Sequence, residues 1–157
     1  EEFNLPVFPV QHHHAHLAAC AAEHGILEGA IGVALDGFGL GEANECWGGE
    51  LMHYQTTRCN RLGSLKPLMQ PGGDIVVKQP WRMAASVLHE LGKGSETIKR
   101  FYKHTDSKLI NQLLAKNINS PRTSSCGRLF DAASAVLGVA ELSDYEGEAA
   151  IRRGFLG

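Results

Sequence analysis

The sequence predicts an α/β chain in which a few strands come first and several helices follow. Three observations carry that expectation: an alanine-rich histidine segment near the start, two short apolar runs bounded by glycine, and a second half with apolar residues at helical spacing. Residues 12–24 (HHHAHLAACAAEH) read as a helix, with His24-Gly25 as its stop. Residues 29–36 (GAIGVALD) read as a buried strand running into a glycine turn at Asp36-Gly37, and residues 47–54 (WGGELMHY) as the returning strand of a hairpin-like unit. An irregular stretch is expected around Pro67 and Pro71-Gly72-Gly73-Asp74. Pro80 suits a first helical turn, and Trp81, Ala84, Ala85, Leu88 and Leu91 follow at helical spacing before Gly92. Further helices are expected over 95–103, 106–117 and 127–138, and a last one begins near Tyr145-Glu146-Gly147 and runs into Phe155-Leu156-Gly157. So few strands would leave a small sheet with open edges, so 1–157 reads as a single partial domain.

Composition narrows the function classes. With 43% hydrophobic and 20% charged residues, the chain has a globular rather than a disordered profile. A net charge of −2 offers no electrostatic footprint for nucleic acid or an anionic membrane. No apolar run approaches the roughly 20 residues of a membrane helix, and EEFNLPVF lacks the features of a signal peptide, so a cytoplasmic location is expected. The four cysteines (Cys20, Cys46, Cys59, Cys126) form no CxxC pair, which argues for free thiols over a zinc knuckle. The glycines cluster between Gly32 and Gly49 and at Gly72-Gly73, where the backbone must turn or approach something closely.

Two patterns carry chemistry. His12, His13, His14 and His16 lie within five residues. On a helix, residues four apart share a face, so His12 and His16 can offer ring nitrogens to one ion, as neutral imidazoles do for zinc or iron. The alternative is a solvent-exposed or structural pair. A purification-tag remnant is excluded because Ala15 interrupts the run and Val10, Leu17 and Ala18 flank it. Two ligands are too few for a tight site, and Asp36 is the best candidate for a third. His13 and His14 point elsewhere, toward hydrogen bonds or substrate. The second pattern is Asp36-Gly37-Phe38-Gly39-Leu40-Gly41, a strand ending in DGxGxG. Glycines there let backbone N–H groups approach phosphate oxygens, while the aspartate holds a divalent ion; a glycine-rich hairpin with no ligand is the alternative.

Five segments together resemble one family. VQHHHAHLAACAAEHG (10–25), IGVALDGFGLGEANECWGGELMHY (31–54), PGGDIVVKQPWRMAA (71–85), SSCGRLFDAASAVLG (124–138) and YEGEAA (145–150) closely resemble the Kae1-like domain of HypF-type carbamoyltransferases. The resemblance implies a partial actin-like (ASKHA) fold, with the upstream acylphosphatase, zinc-finger and YrdC-like domains and a further lobe lying outside these residues. That lobe is expected to bring an SGG-type loop and a late aspartate completing the metal site. The implied reaction passes a carbamoyl group from carbamoyl adenylate, made from carbamoyl phosphate and ATP, to the C-terminal cysteine of a HypE-type partner, for the cyanide ligand of [NiFe] hydrogenase. It also implies His12, His16 and Asp36 as ligands of zinc or iron, or of magnesium with nucleotide. Gly37, Gly39 and Gly41 match the phosphate-side turn, and Asp131 and Gly147 match nucleoside contacts. Lys78 and Arg82 could meet a phosphate or the partner's tail, or simply form a solvated loop and helix start. Cys126 stands before a helix where a thiolate is favoured, but a packing or turn role is expected.

Two other functions compete. A tRNA threonylcarbamoyl transferase has a related helix motif, but this chain has HHHAH and DGFG and no basic surface for RNA. The other is a non-catalytic segment that binds only metal or partner, since the isolated chain is expected to be inactive.

Overall fold

The computed structural model describes residues 5–56 and 58–154. Helix α1 (His12–Glu23) opens it, capped by Gln11, whose side-chain oxygen accepts the His14 N–H. Strand β1 (Ala30–Leu40) follows, then β2 (Cys46–Gln55), β3 (Arg58–Ser64) and the two-residue β4 (Leu68–Met69). Helices α2 (Pro80–Glu90), α3 (Gly94–Arg100) and α4 (Ser107–Lys116) precede a short β5 (Arg122–Thr123), α5 (Cys126–Val136) and α6 (Glu148–Gly154).

The sheet order is β1-β2-β5-β4, with β3 also paired to β2. β1, β2 and β3 form an antiparallel meander, while Cys46 at the start of β2 pairs in parallel with Thr123 of β5. β1 is an edge strand of this sheet. No helix among the described residues is long and apolar enough to cross a membrane.

Helices were legible to within a few residues, and Pro80 takes the first turn of α2. Three corrections concern the strands. β1 does not end in a turn at Asp36-Gly37: it continues to Leu40, with Gly39 opposite Trp47 and Leu40 opposite Cys46. Between Leu35↔Gly49 and Gly39↔Trp47 the register shifts, because Asp36, Gly37 and Phe38 stand against Gly48 alone. The reversal comes later, in a 3-10 turn at Glu42–Asn44. The stretch expected to be irregular, around Pro67 and Pro71-Gly72-Gly73-Asp74, holds only the two-residue β4 and the start of a 3-10 turn at Gly73–Val77, whereas β3 (Arg58–Ser64) ahead of it was not foreseen. Phe155-Leu156-Gly157, where the last helix was expected to run out, lie outside the described residues.

The main core lies between helices. Trp81, Ala84, Ala85 and Leu88 of α2 pack with Phe101, Ile110, Leu114 and Ala135. Small residues at Ala84, Ala85, Ala132 and Ala135 let α2 and α5 approach closely, and burying Trp81 removes the largest single apolar surface. This block fixes α5, whose N-terminus is pressed against β1: a Cβ on Gly127 would lie 2.9 Å from the Cα of Gly37.

Candidate metal centre and adjoining cleft

α1 lies against β1 through two glycines. A Cβ on Gly32 would stand 2.4 Å from a methyl of Leu17, and one on Gly39 would stand 2.3 Å from the His13 ring. The helix is thereby held so that its partly exposed face turns toward the register shift in β1. There Asp36, on the same side of the strand as buried Ala34, meets the two histidines.

Three ligand atoms converge at that point. His12 Nε2 lies 2.8 Å from Asp36 Oδ2, His16 Nε2 lies 3.1 Å from His12 Nε2, and His16 Nε2 lies 3.9 Å from Asp36 Oδ2. Bonds of about 2.0–2.2 Å in a tetrahedral site imply ligand separations near 3.3 Å, and the three edges bracket that value. All three atoms lie within 4.8 Å of one another. His16 is 63% exposed and borders an open groove of 330 Å³ with Leu17, Cys20 and Asp36, so further ligands have room to approach. The donor set of two imidazoles and one carboxylate suits zinc, iron or another divalent transition ion.

The electrostatics favour a charged Asp36. Burial works to raise its carboxyl, but the hydrogen bonds from His12 and the Gly37 amide outweigh it and hold the group below the ordinary aspartate value. Gly37 N–H donates to Asp36 Oδ1 at 2.6 Å, leaving Oδ2 for the histidines. His13 is fully buried, and burial, then the neighbouring His12, lowers its pKa.

The three glycines of DGxGxG separate. Gly41 lies beyond the end of β1 and makes room for the Trp47 indole, which would stand 2.3 Å from a Cβ there. Gly39 makes room for His13. Gly37 alone borders a cleft, 280 Å³ in volume, with Phe38, Gln70, Asp74, Thr123, Arg128 and Glu146 around it. Ser125 caps α5 by accepting the Arg128 N–H, and its hydroxyl donates to the Gly37 carbonyl. Asp131 lies one turn below, buried, with Oδ2 2.7 Å from Arg128 Nε. Burial, reinforced by Glu146, pushes its carboxyl up to about 6 against the opposing pull of Arg128. Gly147 adopts φ 82, a left-handed conformation that admits the chain into α6 beside Glu146. Asp131 and Gly147 do not themselves line the cleft: Asp131 is buried behind Arg128 and Gly147 follows Glu146, both of which do, and neither joins the histidines and Asp36.

The remaining candidates divide. Arg82 is not a solvated helix start: its guanidinium is engaged by Gln79, Pro71 and Asp106. Lys78 is exposed and follows the 3-10 turn. Cys126 is the first residue of α5, and burial raises its thiol, which disfavours a thiolate despite the helix N-terminus.

Sequence reasoning missed a buried polar junction. Glu50, fully buried, accepts the Gly48 and Gly49 N–H groups, the Ser124 hydroxyl and Arg61 Nε at 2.6 Å. Arg61 also stacks over Trp47, 4.3 Å from the ring centroid. Only the unusual glutamate inside WGGELMHY hinted at it.

The segments that build this helix, strand and cleft match the models of one family. The model described as "Carbamoyltransferase, Kae1-like Domain, second subdomain" matches residues 32–153, and that of the HypF Kae1-like domain matches residues 1–23. The chain belongs to the Kae1-like domain family of carbamoyltransferases. Carbamoyltransferase HypF2 of Cupriavidus necator is 49% identical over 150 residues, covering 96% of this chain and 19% of the relative. Carbamoyltransferase HypF of Rhizobium leguminosarum bv. viciae is 41% identical over 151 residues, covering 96% and 20%. The crystal structure of full-length HypF in its phosphate- and nucleotide-bound form superposes with a TM-score of 0.83 at 35% identity, over 96% of this chain and 20% of that one. T. kodakarensis HypF gives 0.84 at 33% identity, over 95% and 21%. The chain thus spans about a fifth of the length of these relatives.

Proposed function

We propose that this chain carries the metal-binding part of a Kae1-like domain that transfers a carbamoyl group during hydrogenase maturation. The convergence of His12 Nε2, His16 Nε2 and Asp36 Oδ2 carries the reading. The donor is carbamoyl adenylate, formed from carbamoyl phosphate and ATP by other parts of the longer protein. The acceptor is the C-terminal cysteine of a HypE-type partner, and the setting is the cytoplasm.

A divalent ion held by this triad would supply a Lewis acid able to polarise an acyl or phosphoryl oxygen. The chain's own residues do the rest. Asp36 is kept ionised and oriented by Gly37 and His12. The cleft beside it receives the nucleotide, with the α5 N-terminus and Arg128 placing positive charge where phosphate oxygens would lie. Asp131 and Gly147 would act on the nucleoside side from behind Arg128 and Glu146, which line the cleft. The incoming nucleophile is the partner's thiolate, and the raised thiol of Cys126 supports a packing role for that residue.

The test is metal content. The untagged chain should hold zinc or iron near one equivalent, and a His12→Ala/His16→Ala double variant should lose it. Equal metal in both proteins would overturn the assignment. Transfer itself is tested by introducing the same double substitution into the longer protein and following carbamoylation of a HypE-type C-terminal cysteine, which should stop.

A further inference from the structure

His13 is the best-buried histidine of the cluster, although its neighbours on both sides are more exposed. Its place is defined by Gln11. The Gln11 amide is oriented by two backbone contacts: Oε1 accepts the His14 N–H at 2.9 Å, and Nε2 donates to the Leu40 carbonyl at 3.2 Å. The same Nε2 lies 3.1 Å from His13 Nδ1, which must therefore accept, so the ring proton sits on Nε2. That Nε2 is buried and has no protein partner. A buried donor left unpaired costs free energy, so its retention asks for a reason.

The reason lies across the contact. His13 fills the space that the missing side chain of Gly39 leaves, and Leu17 fills that of Gly32. Gly39 is not in the left-handed region, so its backbone does not require glycine; the ring does. His13 and Leu17 are four residues apart, as are His12 and His16, one residue earlier on the same helix. Whatever seats the first pair fixes the height and rotation of the second.

We propose that His13 is a positioning residue: keyed into Gly39 and clamped by Gln11, it sets the angle at which α1 presents His12 and His16 to Asp36. Gly39 is then glycine for a side chain and not for a phosphate. This rests on the metal reading above.

The experiment is a Co²⁺ titration of the full chain, followed by visible absorption, with folding checked by circular dichroism. His13→Ala should weaken Co²⁺ binding by about 10–100-fold, the range for loss of a group that orients metal ligands. His13→Asn, which keeps an acceptor for Gln11, should recover most of that loss. Gly39→Ala should weaken binding in the natural background and cost clearly less in His13→Ala, because the added methyl then meets only the edge of the His12 ring, at 3.0 Å. Wild-type Co²⁺ affinity and spectrum in His13→Ala would remove the positioning role alone. A Gly39→Ala variant that loses ATP affinity while keeping Co²⁺ would assign the glycine to phosphate and overturn the seat. Absence of Co²⁺ binding in the unsubstituted chain would remove the metal reading, and the positioning role with it.

Discussion

His12 and His16 turn the same ring atom, Nε2, toward each other at 3.1 Å. With Asp36 Oδ2 2.8 Å from His12, three acceptor-capable atoms crowd one small volume. A single proton satisfies at most one of these contacts well, whereas a cation satisfies all three at once.

Asp36→Asn should therefore damage the site while leaving the fold. The amide preserves shape but removes the negative charge that offsets the ion's. Affinity for Zn²⁺, measured against a chelator, should fall by at least the 10–100-fold that loss of an outer partner costs. Unchanged affinity would mean that the carboxylate is no ligand.

Glu50 should matter for stability rather than chemistry. Burial works to raise its carboxyl, but Ser124, the Gly48 and Gly49 amides and Arg61 outweigh it, so its folded pKa lies below 4.5. Its contribution is thus present above the unfolded value and is lost as pH falls through the folded one. Glu50→Gln should cost about 2–3 kcal/mol near neutral pH and flatten the acid limb of a urea-unfolding profile. A parallel shift at every pH would refute the charged reading.

Asp131 has the opposite sign. Its carboxyl is pushed up to about 6, so between 3.8 and 6 the folded state holds more protons than the unfolded. Stability should fall as pH rises through that window, by up to about 3 kcal/mol for a shift of this size. Asp131→Asn removes the slope, even though leaving Arg128 without its partner lowers stability overall. Persistence of the slope in that variant would assign it to another group.

Ser125 joins α5 to the strand that bears Asp36, the proposed metal ligand. Ser125→Ala removes the cap on Arg128 N–H and the bond to the Gly37 carbonyl. The expected loss is about 1–2 kcal/mol by thermal or denaturant unfolding, with zinc affinity changed less than in Asp36→Asn.

What could be read in advance followed local rules. The helix over His12–Glu23, Pro80 at the start of α2 and the His12/His16 spacing are set by neighbours in sequence. That Asp36 would come together with His12 and His16 was legible because one strand carried one acidic residue at its apolar end. What was not legible depended on distant partners. The extension of β1 to Leu40 is decided by pairing with Cys46 and Trp47, and DGFGLG resembles a turn until that pairing is known. Gly39 and Gly41 are glycine because of His13 and Trp47, contacts that span 26 residues in one case and a hairpin in the other. Glu50 was hidden because its partners Arg61 and Ser124 come from two other segments.

The unequal register of β1 and β2 carries one more implication. Three residues of β1 face one of β2, and this surplus lets Asp36 reach the histidines while Gly39 still arrives opposite Trp47 under His13. The site is therefore written partly as a length. A chain lacking Phe38 would keep all three candidate ligands and the glycines yet bring them to different places, because losing one residue from a strand changes what each later side chain faces. In comparing members of this family, the number of residues between Leu35 and Gly39 is as diagnostic of a working centre as the histidines themselves.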